Sequence, residues 1–148
     1  MEEFILKSKK LKTIISLGLT VAFSISLAVT SFAATTKTTT KDYTGYLMDA
    51  HCASKGVDDE TGKIKISKNP EKHTTSCLKN DMCMMESLGM MIKQKDGKYK
   101  FYKFDKNGNK KADSEIMMKT KRKFGNKITV KGTLKGDTIT VSSIKEAK

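Results

Sequence analysis

The sequence predicts a mainly β fold: a five-stranded OB-fold-like barrel, with one helix between strands 3 and 4 and a Cys-bearing insert after strand 1. Three observations predict it. Short runs rich in β-branched and aromatic residues recur along the chain, Gly-containing turns separate them, and one amphipathic segment falls between the third and fourth runs.

Tyr43-Thr44-Gly45-Tyr46-Leu47-Met48-Asp49 reads as the first strand, because its residues suit a pleated surface. Residues 53–72 are polar, contain Gly56, Gly62 and Pro70, and read as a loop. A loop of that length in a small domain needs ties. Cys52 on one side and His73, Cys77 and Cys83 on the other can supply them. Residues 76–86 read as a short helix. Residues 90–93 and 98–104 read as two strands joined through Lys95-Asp96-Gly97, Asp-Gly being a strong hairpin turn. Asn109 is the expected cap of a helix reaching about Lys121, with Ala112, Ile116 and Met117 on one face and Glu115 and Lys119 as an i,i+4 pair. Residues 127–134 and 138–144 are the last strands, linked through Lys135-Gly136, and the change of phase between Val141 and Ile144 predicts a bulge. Closure would leave no exposed edge. An open α+β sheet is the alternative that element order leaves.

The start of the chain has a secretory layout. Lys7, Lys9, Lys10 and Lys12 precede an uncharged stretch, 13–36, whose residues 14–29 are mostly apolar. Ser31-Phe32-Ala33 then places small residues at −3 and −1 of a cleavage point. The expected organisation is a signal peptide at 1–33, a polar spacer at 34–41 and an OB-like domain at 42–146. An uncleaved anchor is the rival, weakened by repeated Ser and Thr and by the cleavage site. The mature protein is expected outside the cytoplasm, secreted or cell-surface associated, with no stable membrane span after cleavage.

Composition narrows the class. The 37% hydrophobic content argues against full disorder, the single Pro excludes collagen-like chains, and three Cys are too few for a disulfide-dense miniprotein. The charge is +13 overall; residues 1–33 carry four Lys and two Glu, which leaves +11 beyond them (25 basic against 14 acidic). So basic an exported chain is expected to meet anionic cell-wall polymers or membrane surfaces. Lys98-Tyr99-Lys100-Phe101-Tyr102-Lys103-Phe104 interleaves bases and aromatics, as single-strand-binding surfaces do. Alternating aromatics also fit a barrel core, and export removes most such ligands, so nucleic acid is not expected as a partner.

Gly45-Tyr46-Leu47-Met48-Asp49-Ala50-His51-Cys52, then His73, Cys77, Cys83 and Gly89, then Gly97-Lys98-Tyr99 and a closing Lys131-Gly132-Thr133 with Ile139-Thr140-Val141, resembles a group of small exported bacterial proteins. That group has a Gly-x-x-x-Asp-x-x-Cys start, a His/Cys cluster and an OB-fold-like ending. The resemblance spans most of residues 43–145. It implies fold and export, and no defined activity.

The chemistry concentrates in Cys52, His73, Cys77 and Cys83, the ligand types of a Cys3His site. In a helix, His73 and Cys77 would share a face, whereas Cys83 needs a turn or helix end to converge. Met82-Cys83-Met84-Met85 and Met90-Met91 place five of the eight methionines after residue 33 within ten residues. Thiolate and thioether donors select Cu(I), so copper joins zinc as a candidate, with Met82, Met84 and Met85 as candidate thioether donors and His51 as a further imidazole. The rival is a disulfide-stapled OB-like module, Cys52 bridged to Cys77 or Cys83, that binds a ligand or an anionic cell-surface polymer and uses Met as core filler.

Other motifs carry less. No Cys-x-x-Cys-His is present for covalent haem attachment. Asp105-Lys106-Asn107-Gly108-Asn109 opens like a calcium loop, but Lys110 and Ile116 stand where Gly and Glu are required, so a turn into a helix is the better reading. No Ser/His/Asp set or Gly-rich phosphate loop points to an enzyme. The expected function is an exported small binding protein coordinating a soft metal.

Overall fold

The computed structural model describes residues 39–57 and 62–148. The expected signal peptide and residues 34–38 of the spacer lie outside the described residues.

Five strands carry the fold: β1 (Lys41–Asp49), β2 (Leu88–Lys93), β3 (Tyr99–Phe104), β4 (Lys127–Lys135) and β5 (Thr138–Glu146). β1 pairs antiparallel with both β2 and β4, β2 with β3, and β4 with β5. β3 and β5 run parallel through Lys103↔Thr138 and Phe104↔Ile139. The sheet therefore closes into a ring in the order β1-β2-β3-β5-β4, and every strand has two neighbours. The expected bulge is present: Lys131 pairs with Ser143 and Gly132 with Val141, so Ser142 is the extra residue on β5. β1 and β2 approach closely at Gly45, where a Cβ would lie 2.3 Å from the carbonyl oxygen of Met91.

One helical segment joins β3 to β4. It begins as α4 (Lys106–Lys111) and continues as a π-helical turn over Ala112–Met117. The expected cap, Asn109, is corrected to Asp105. The Asp105 carboxylate accepts from Gly108 N–H at 2.9 Å and from Val141 N–H at 3.1 Å, fixing both the helix start and its seat on β5. The calcium-like run is thus a turn and a cap. Asn109 instead accepts from Leu88 N–H and donates to the Phe104 and Asp105 carbonyls.

Period-two alternation sorts the side chains of β1, β2 and β3 between two cores. Leu47, Met90 and Phe104 join Ile128, Val130, Ile139, Val141, Ile116 and Met117 in the larger one. Met48 and Met91 belong to the second, with Tyr99 and Phe101 packed against it. The β3 aromatics, expected in a single core, therefore divide between the two.

The segment after β1 covers this second core. It contains α1 (Ala50–Lys55), a 3-10 turn (Pro70–Lys72), α2 (Thr75–Leu78) and α3 (Asp81–Met85). The helix expected over 76–86 is corrected to two single turns. Thr74 caps α2 by accepting from Cys77 N–H at 3.1 Å, and Asn80 caps α3 by accepting from Met82 N–H at 3.0 Å. Two extended capping residues six apart leave room for only one turn between them. Leu78, fully buried, anchors α2 in the main core.

Residues 73–75 are stitched to the stretch that leads into β4. Gly125 N–H donates to the His73 carbonyl at 3.0 Å, Thr75 N–H to the Lys123 carbonyl at 2.8 Å, and Thr74 pairs with Phe124. Buried Asn126 completes the seam: its amide donates to Thr75 Oγ1, its side-chain carbonyl accepts from Thr120, and its backbone carbonyl accepts from Leu47 N–H. The insert is thereby fixed to β1 and β4 by paired polar groups, which buried backbone requires. Among the described residues no helix is long and apolar enough to cross a membrane.

Candidate metal centre

Asp49 ends β1 and caps α1. Its Oδ1 accepts from Cys52 N–H at 2.8 Å, the usual geometry by which an Asp opens a helix. This bond fixes the carboxylate against the first turn of α1, and Cys52 sits on that turn with its side chain fully buried. α2 delivers Cys77 and α3 delivers Cys83, both within 2% of complete burial.

The three sulfurs meet. Cys52 Sγ lies 3.4 Å from Cys77 Sγ, and Cys77 Sγ lies 3.9 Å from Cys83 Sγ. With a carboxylate oxygen of Asp49 they form a group of four ligand atoms all within 4.8 Å of one another. Ligands about 2.3 Å from a tetrahedral centre stand about 3.8 Å apart, a spacing that the 3.4 and 3.9 Å sulfur contacts bracket. A disulfide needs about 2.05 Å, and neither pair is at bonding distance. The Cys52 bridge to Cys77 or Cys83 of the rival reading is therefore not formed, and the three cysteines meet as unbridged thiols.

His73 is 1% exposed and adjoins this group through Asp49: its Nε2 stands 3.4 Å from Asp49 Oδ2. Asp49 Oδ2 is fully buried and takes no hydrogen bond among the described residues. The helical face expected to align His73 with Cys77 does not form, because His73 precedes the α2 cap and its backbone is held by Gly125. Met82, Met84 and Met85 stand 52%, 44% and 81% exposed, on the solvent side of α3 while Cys83 turns inward. The thioethers packed with the thiols are instead those of Met48 and Met91. His51 is partly exposed at the rim, its Nδ1 3.7 Å from Glu86 Oε1.

The electrostatics favour a cation. Burial, then the charge of Asp49 and the neighbouring Cys77, push the Cys83 thiol up to about 12. A buried carboxylate beside three thiols is costly unless positive charge compensates it. A metal ion would take the place of the thiol protons and reverse that cost, since a coordinating thiol is deprotonated outright.

Asp49 is the site residue that the sequence reading left out. Its signal was the Asp49-x-x-Cys52 spacing, which puts a capping carboxylate and a first-turn thiol on the same helix start. No family model matches the chain, and no curated protein or solved structure matches it either.

Proposed function

We propose that this is an exported binding protein, not an enzyme, that holds one metal ion of the copper or zinc class in the Asp49/Cys52/Cys77/Cys83 group. The single observation that carries the reading is the convergence of those four buried ligand atoms within 4.8 Å, from four different elements spread over residues 49–83. Closed, four-donor sites stabilise structure, whereas catalytic metal sites keep a position open to water and substrate. Here every donor is 2% exposed or less. Binding is coupled to folding, because the ion fastens α1, α2 and α3 to the end of β1. The ring of five strands with its helix between β3 and β4 supports an OB-like barrel as the scaffold. The Lys-rich start of the chain and the Ser31-Phe32-Ala33 cleavage pattern support export.

The test is metal content with thiol count on protein purified natively without chelator or added reductant. The reading expects one ion per chain, three thiols that react only after chelation and denaturation, and loss of the ion in Cys77→Ser. Two cysteines joined to each other, no metal, and no uptake after reduction would end it. Saturating metal should also raise the unfolding free energy by about 2.7 kcal/mol at a hundredfold excess over Kd, reversed by a chelator.

A further inference from the structure

The geometry points to Asp49 as the residue that sets metal preference, holding zinc in a four-coordinate Cys3Asp site and favouring it relative to Cu(I). This rests on the metal-binding reading above and goes further by naming the ion and the discriminating donor.

The donor set is mixed. Three thiolates suit zinc and Cu(I) alike, but a carboxylate is a hard donor that zinc accepts and Cu(I) does not favour. Asp49 is not free to withdraw, because its Oδ1 is committed to the Cys52 N–H and the whole side chain is buried. His73 Nε2, 3.4 Å from Oδ2, closes the other side of the carboxylate. Charge argues the same way. Three thiolates and a carboxylate bring four negative charges into a buried space, where a divalent ion leaves less uncompensated charge than a monovalent one. The exposed thioethers of Met82, Met84 and Met85, the donors that would have favoured copper, lie outside this group. Removing the carboxylate leaves three sulfurs beside the Met48 and Met91 side chains, an all-sulfur surrounding better suited to Cu(I).

Asp49→Asn separates the two roles of the residue, because Asn caps helices as well as Asp does but offers no anionic oxygen. Affinities of the reduced protein for Zn2+ and for Cu(I) are measured separately by competition with chromophoric chelators. The expected result is a zinc affinity at least roughly 10-fold weaker in Asp49→Asn, with Cu(I) affinity changed by no more than about threefold. Equal losses for both ions, or no loss of zinc, would overturn the proposal while leaving metal binding intact. A wild-type protein that binds neither ion overturns the metal reading itself and this inference with it. If Asp49→Asn does not fold, Asp49→Ser, another capping residue, replaces it in the same comparison. Independently of any variant, Co2+ in the wild-type site should give the intense visible bands of a four-coordinate centre with thiolate charge transfer. Weak six-coordinate bands would overturn the assignment.

Discussion

Cys52 Sγ and Cys77 Sγ lie 3.4 Å apart although 25 residues separate them in the chain. Two separate caps produce the contact, Asp49 starting α1 and Thr74 starting α2, so the thiols meet because two short helices begin where they do. Cys77 Sγ contacts both Cys52 Sγ and Cys83 Sγ.

The first prediction concerns oxidation. In metal-free protein, a two-electron oxidant such as hydrogen peroxide should join Cys52 to Cys77 in preference to Cys77 and Cys83, the peroxide being reduced to water as two thiol hydrogens are lost. The shorter contact needs the smaller movement to reach about 2.05 Å. Peptide mapping reads the linkage. Bound metal should protect all three thiols, and a Cys77–Cys83 product would show that the observed spacing does not direct the chemistry.

A second prediction follows from the Cys83 thiol, which burial and then the charge of Asp49 push up from the ordinary thiol value of 9.0 to about 12. The folded state holds this proton more tightly than the unfolded chain does. Its contribution to stability is therefore complete below pH 9 and is lost as pH rises from 9 towards 12. Chemical denaturation of the metal-free protein across that range should show a decline that is smaller in Cys83→Ala. At pH 8, in chelator, Cys83 should also resist alkylation in the folded protein.

The third prediction tests the seam that positions His73. Gly125 has φ +61°, and a Cβ there would lie 2.5 Å from the Glu71 carbonyl oxygen. Gly125→Ala should lower stability by at least about 1–2 kcal/mol, the cost of a left-handed non-glycine residue before any clash. Urea unfolding measures it through the midpoint, with the slope unchanged. An unchanged midpoint would show that the 71–73 segment yields freely.

Fourth, the exposed methionines should be dispensable for the buried centre. Replacing Met82, Met84 and Met85 together by Gln should leave metal affinity within about 0.5 kcal/mol, roughly twofold, as for other surface changes. A tenfold loss would return them to the ligand set.

Much of the sheet was legible because its signals are local. Alternation marked β4 and β5, Asp96-Gly97 marked the β2–β3 turn, where Lys98 N–H donates to Asp96 Oδ1, and the phase slip between Val141 and Ile144 marked the Ser142 bulge. The three thiols were legible as residue types, and so was the need for a break before Cys83. What the residues could not reveal were relationships set by tertiary contact. Asn109 and Asp105 are both good caps, and Asp105 prevails because Val141 N–H also needs its carboxylate. Asp49 looked like the end of a strand until residues 77 and 83 arrived beside it. The methionine run suggested copper, but the helix break at Lys79-Asn80 turns Cys83 inward and leaves its neighbours in solvent.

X-ray absorption at the zinc edge of the loaded protein tests the central claim most directly. The account predicts one zinc per chain with about three sulfurs near 2.3 Å and one oxygen near 2.0–2.2 Å. A zinc shell made of light atoms alone would contradict it.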